Sequence, residues 1–222
     1  MGEKEVSRVG ERVNPISVRS KRRITDALLE LMQSAPFSRI TIKDIVDRAG
    51  LTRQTFYHNF DSKEEALSYR LDEYIEGFLR SLSEQTVRSW EDLIGIFFGY
   101  WLEQAAFLQL LLRNDLMFLL ARRLEVRFEP VRAERTGLTG LTGLTDAEAK
   151  LWFSFLSGAL AATLSSWLKE PNGFSSRSLA KATLTMLNGT MLNRTNLSNP
   201  EKAGQVAALL VSGLQNRTTE SK

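Results

Sequence analysis

Apolar residues in this chain return at three- and four-residue intervals, and no segment sustains the two-residue alternation of a half-buried strand. That feature alone confines the fold to the all-α class. From Ser20, the residues Ile24, Ala27, Leu28, Leu31 and Met32 share one helix face, and Pro36 stops the helix. Residues 1–18 lack such periodicity and contain Pro15, so they read as a loose arm. Thr41-Ile-Lys-Asp44 has the form of a capping box, in which hydroxyl and carboxylate satisfy free backbone N–H groups reciprocally. Ile42, Ile45, Val46 and Ala49 then fall on one face, and Gly50 supplies a left-handed helix end. Thr52 can cap a very short third helix reaching about His58. Asp61 or Ser62 caps a fourth, with Glu64 and Glu65 in its first turn and Leu67, Leu71, Tyr74, Ile75 and Phe78 on its buried face.

Beyond about residue 86 the expected helices are longer and more apolar, over 90–104, 105–113, 115–135, 146–170, 176–192 and 200–214. Three Gly-Leu-Thr copies at 136–145 read as a flexible connection. Residues 151–168 are uncharged between Lys150 and Lys169, about the minimum length of a membrane span. Ser154, Ser157, Thr163, Ser165 and Ser166 weaken that reading in favour of a helix buried between protein surfaces. Charged Met1–Arg12 carries no signal-peptide pattern, which places the expected location in the cytoplasm and makes the four Asn-x-Ser/Thr sequons coincidental.

Scarce residues narrow the chemistry. With no cysteine among 222 residues, disulfides, thiolate metal sites and thiol nucleophiles are excluded. His58 is the single histidine, so a multi-histidine metal site within one chain is excluded; no cofactor is expected. The net charge of +3 is unevenly placed. Residues 1–63 hold 12 Lys/Arg against 8 Asp/Glu, the remainder 17 against 18, and Arg19, Lys21, Arg22 and Arg23 form the densest cluster.

Two short helices joined at Ala49-Gly50-Leu51 and packed by an amphipathic first helix have the form of a helix-turn-helix over about 41–60. The second of them carries Thr52, Arg53, Gln54, Thr55, Tyr57, His58 and Asn59, nearly all hydrogen-bonding side chains. Arg suits guanine O6/N7 and Gln suits adenine N6/N7, both in bidentate geometry. The run from Thr41 to Leu67, with its Ala-Gly, Thr-Phe-Tyr-x-x-Phe and Ser-Lys-Glu-Glu elements, resembles the DNA-binding region of the TetR/AcrR family of transcriptional regulators. The likeness runs from about Val18 to Phe78.

That resemblance implies an arm at 1–17, a DNA-binding domain at 18–80, and a larger helical effector-binding and dimerisation domain at 81–222. It selects Thr52, Arg53 and Gln54 for base edges, with Thr55 joining them or bonding a phosphate. Tyr57, His58 and Lys63 are implied at phosphates, and Thr41 at the backbone beside its capping role. Tyr57 packed on the first helix is the structural alternative, and Arg8, Arg12 and Arg19 are candidates for an adjacent groove. The implied partners are a roughly palindromic DNA operator, a second copy of the chain and a small-molecule effector, and the implied role is that of a repressor. Small residues Gly158, Ala161, Ala162 and Ser165, with Leu184 and Leu187 of the next helix, are the expected dimer interface, an intrachain core being the alternative. Dense aromatics suggest Tyr100, Trp101, Gln104, Phe118 and Trp152 for a pocket that takes an apolar or aromatic effector. The competing function is an enzyme of the helical domain acting on a small apolar substrate, although no nucleophile-elbow, phosphate-loop or zinc-protease motif is present.

Overall fold

The structure is a computed structural model that describes residues 15–133, 145–170, 173–190 and 200–220, the side chains of 130–133, 188–190, 200 and 213–220 excepted. Arg8, Arg12 and the Gly-Leu-Thr repeats before Thr145 lie outside these residues. Among the described residues there are ten α-helices and no strand. They are α1 (Pro15–Ser34), α2 (Ile42–Ala49), α3 (Arg53–Asn59), α4 (Lys63–Ser83), α5 (Trp90–Glu103), α6 (Ala105–Arg113), α7 (Met117–Ala133), α8 (Asp146–Lys169), α9 (Ser176–Thr190) and α10 (Pro200–Glu220). A single 3-10 turn, Phe37–Arg39, precedes α2.

Local chemistry explains most boundaries. α1 opens at Pro15 rather than near Ser20, because proline at the first helical position loses no hydrogen bond and presets φ. At α2 both halves of the capping box form: Thr41 Oγ1 accepts from the Asp44 N–H at 3.2 Å, and Asp44 Oδ2 accepts from the Thr41 N–H at 2.9 Å. Gly50 ends that helix at φ 62. Ser62, not Asp61, caps α4 by accepting from the Glu65 N–H at 3.1 Å. The turn between α6 and α7 passes through Asp115 at φ 57, which delays α7 to Met117 instead of residue 115. A second capping box, Thr145 with Glu148, opens α8.

Packing divides the molecule along α4. Ile24 and Leu28 of α1, Ile45 of α2 and Phe56 of α3 are fully buried with Leu67 and Leu71 from the first half of α4. Ile75, Phe78, Leu79 and Leu82 from its second half are buried in the remaining bundle, where α8 lies along α7 and α9 along α5. One helix therefore belongs to both cores, and at 1.5 Å per residue its 21 residues span roughly 30 Å. α8 is long and apolar enough to cross a membrane by length and composition, and 33% of that window is buried inside the chain. Three of its hydroxyls are satisfied locally: Ser157 donates to Phe153 O at 2.8 Å, Thr163 to Ala159 O at 2.9 Å and Ser165 to Ala161 O at 2.8 Å. That is how a serine-rich helix can pack against apolar neighbours.

Candidate nucleic-acid interface

The reading surface is built by fastening a seven-residue helix at both ends. Thr52 Oγ1 accepts from the Thr55 N–H at 3.1 Å, and the two threonine hydroxyls lie 2.9 Å apart. At the far end Ser17 of α1 donates to Asn59 Oδ1 at 2.8 Å, while Asn59 Nδ2 donates to Thr55 O at 2.7 Å. Phe56 is fully buried beneath the helix and Phe60 is 3% exposed. Between these anchors Thr52, Arg53, Gln54, Tyr57 and His58 face outward, and Thr55 is half-buried. None of Arg53, Gln54, Tyr57 and His58 makes a hydrogen bond within the described residues, so their polar groups are available to a partner. Tyr57 is 56% exposed, with its ring edge-on to Phe56 at 5.7 Å, rather than packed away on α1.

The turn that presents α3 is locked from α1. Arg23 Nη2 donates to Ala49 O at 2.5 Å and to Gly50 O at 3.3 Å, capping the end of α2 with a cation where carbonyls are otherwise unpaired. Arg22 pairs with Glu73 at 3.5 Å, and Lys21 Nζ stands over the Tyr69 ring at 5.3 Å. Three of the four cations in the basic cluster are thus committed inside the chain, a use that charge counting could not show. Lys63 is also engaged: its Nζ donates to Phe37 O at 2.7 Å and Ile40 O at 2.8 Å and sits over the Phe37 ring at 4.6 Å. Thr41 is exposed, and its hydroxyl donates to Asp44 Oδ2 at 2.7 Å. That hydroxyl, seconded by the Thr41 N–H, holds the Asp44 carboxyl below its ordinary pKa.

A body-side residue reaches this head. Asn114, at the end of α6, accepts from the Phe37 N–H at 2.6 Å and donates to Leu110 O at 2.8 Å. Phe37 is therefore held through its N–H by the body and through its carbonyl by Lys63. In the sequence Arg23 stood out only as a member of the basic cluster, and Asn114 not at all. The signal that could have found it is faint, an Asn-Asp pair after an apolar run.

The body contains an apolar cavity of about 70 Å³ between α4, α5, α7, α8, α9 and α10. Of the expected pocket residues, Trp152 lines it and Tyr100, Trp101, Gln104 and Phe118 do not. Trp101 is fully buried among Tyr74, Phe97 and Tyr100, so it serves the core. Tyr100 donates to Tyr74 O at 2.8 Å over Gly77, where a side chain would collide with its hydroxyl, and borders a separate polar cleft of about 400 Å³. Burial, then the neighbouring Tyr74, push its phenol above the ordinary pKa. Gln104 occupies the junction of α5 and α6, and Phe118 is 53% exposed on α7. Helical rotation, invisible in composition, sets which aromatic rings line the cavity.

The expected interface residues also separate. Gly158 and Ala162 lie exposed on α8, in line with Leu151 at 71% and Phe155 at 48% exposure. Ala161 and Leu187 are buried in the chain's own core, and Ser165 and Leu184 are half-buried. One turn of α8 places adjacent small residues on opposite sides.

A three-helix head with a fastened, outward-facing recognition helix, joined by a shared helix to an all-helical body, defines a helix-turn-helix protein of the two-part kind. Residues 24–68 match the family model described as bacterial regulatory proteins, tetR family. Over 53 residues the chain is 40% identical to the HTH-type dhaKLM operon transcriptional activator DhaS of Lactococcus lactis. That match spans 24% of this chain and 28% of the relative, less than a third of its length. The fold is similar to that of a TetR transcriptional regulator from Streptococcus agalactiae, with a TM-score of 0.55 at 22% identity, covering 78% of this chain and 95% of that one. It is similar too to that of a TetR-family regulator from Syntrophomonas wolfei, with a TM-score of 0.52 at 14% identity over 79% and 96% of the two chains. The likeness to the tetR family of bacterial regulatory proteins is carried by the head, residues 24–68.

Proposed function

We propose that this protein is a sequence-specific DNA-binding transcriptional regulator of the cytoplasm that acts as a homodimer and answers to a small apolar effector, rather than an enzyme. The observation that carries the reading is the outward face of α3, where Arg53 and Gln54 stand exposed at its start and Tyr57 and His58 one turn later. Seated in a major groove, Arg53 and Gln54 meet base edges and Thr52 or Thr55 assists. Tyr57 and His58 meet phosphates, with Thr41 and Lys63 at the edge of the same footprint. The exposed apolar line Leu151, Phe155, Gly158 and Ala162 supports pairing of α8 with a second copy, which would present two heads to a roughly palindromic site.

Effector control follows from α4. Ile75, Phe78 and Leu79 line the cavity, and Leu67 and Leu71 of the same helix are buried in the head. A ligand that prefers one placement of α4 changes the spacing of the heads, and DNA reciprocally changes ligand affinity. Release of DNA by the ligand makes the protein a repressor. The named role of the Lactococcus lactis relative, an operon activator, favours the second reading, in which bound protein recruits transcription. Selection of bound sequences from random DNA, then gel shift across salt, tests the main proposal: Arg53→Ala with Gln54→Ala abolishes base preference and retains salt-sensitive binding. Undiminished preference in that double variant refutes the residue assignment. A promoter-reporter fusion with and without the protein separates repressor from activator.

A further inference from the structure

We infer that the cavity under α4 takes a small hydrocarbon of about four carbons, a ligand with no hydrogen-bonding group of its own. This rests on the effector-binding reading of the body and narrows it to a chemical class. Among the described residues the cavity wall is built from aliphatic side chains and the aromatic rings of Phe78, Trp90, Phe97, Phe128, Trp152 and Phe153. No polar atom is exposed on it. The lining side chains that carry a polar group turn that group elsewhere. Arg127 pairs with Glu76 at 3.5 Å and shows the cavity only its methylene stem. The indole N–H groups of Trp90 and Trp152 are buried in the packing behind the wall.

That wall decides what can enter. A hydroxyl carried inside leaves its water partners and finds none in exchange, a loss of at least about tenfold in affinity, and an ammonium or carboxylate loses far more. Water meets the same obstacle, and a cavity with apolar walls stays dry. A hydrocarbon has no such cost. It leaves water and supplies contact atoms to side chains that face empty space.

Volume sets the size. The cavity of about 70 Å³ is under half of the roughly 150 Å³ that admits benzene, which leaves room for about four carbons and none for an aromatic ring. Ile75, Phe78 and Leu79 of α4 form one side of the wall, so a guest presses on the helix whose first half is buried in the head.

The test uses the full chain and three probes: butane, 1-propanol of matched size, and benzene. Binding is followed by ligand-observed NMR and by tryptophan fluorescence, since Trp90 and Trp152 line the cavity. Butane binds at least about tenfold more tightly than 1-propanol, and benzene does not compete. Leu156→Ala, at a half-buried wall position on α8, adds room and admits benzene. Val206→Leu takes up the room of one carbon and weakens butane binding about fourfold. The two variants shift size selection in opposite directions, so either reports if the other does not fold, and the wild-type comparison needs neither. Equal or tighter binding of the alcohol, benzene bound by the wild type as tightly as butane, unchanged size selection in a folded variant, or binding of none of the probes overturns the inference. Gel shift on the same samples keeps the two readings apart. Protein that binds DNA without discriminating the probes refutes only the ligand class, and protein that discriminates them without binding DNA refutes only the regulator.

Discussion

Replacing Gly50 by alanine tests how the recognition helix is held. Gly50 has φ 62, and a residue with a β-carbon pays about 1–2 kcal/mol for that left-handed backbone. The added carbon would also stand 3.0 Å from Arg23 Nη2, which donates to Ala49 O at 2.5 Å. Arg23 can swing aside only by giving up that bond, worth about 1 kcal/mol at an exposed position. The sum is roughly 2–3 kcal/mol against the turn. Amide hydrogen exchange reads it locally, since the Leu51 N–H donates to Val46 O at 2.9 Å across this turn. Exchange there accelerates roughly 30- to 150-fold. Trp90, Trp101, Trp152 and Trp167 all lie beyond α4, so tryptophan fluorescence should stay at its wild-type value and serve as the control. In an Arg23→Met background the collision is gone, and Gly50→Ala then costs only the backbone share, about 1 kcal/mol less. Acceleration below about threefold, or an equal cost in both backgrounds, would refute the reasoning.

Three further outcomes are expected. Asn114→Ala strips the acceptor from the Phe37 N–H and weakens protection around residues 36–41 by about 1 kcal/mol, whereas Asn114→Asp, which keeps an acceptor, restores most of it; equal exchange in the two variants would deny the link from body to head. Lys63→Met removes two carbonyl contacts and destabilises the head by about 1–2 kcal/mol in urea unfolding followed by circular dichroism. If Lys63 instead serves mainly as a phosphate anchor, stability holds and the salt dependence of DNA binding falls by about one. Because the Asp44 pKa is depressed, the capping box contributes stability above the ordinary aspartate pKa and loses it as pH falls through the lowered value. Thr41→Val therefore raises the Asp44 midpoint in a carboxyl NMR titration, and an unmoved midpoint argues against hydroxyl control.

The head was legible because its signals are local. The capping box, the left-handed glycine and the serine cap each act within one helical turn, and a residue's neighbours in sequence are its partners there. The Thr145–Glu148 box is equally local and was readable from Thr-Asp-Ala-Glu. α1 was misjudged at its start because Pro15 was read as a breaker when it is an initiator.

By itself the sequence determined the all-helical class, the helix-turn-helix and the polar face of α3, since periodicity and caps depend on contacts three or four residues apart. Tertiary structure decided what each charge and aromatic ring does. Arg23 and Ala49 are 26 positions apart, Asn114 and Phe37 are 77, and Arg123 and Asp72, joined in a two-point ion pair between α7 and α4, are 51. Burying Trp101 in the core and setting Trp152 against the cavity depends on how α5 and α8 turn about their axes as they pack. Helical periodicity states that a face is apolar; only packing settles whether that face meets its own chain, a cavity or open surface.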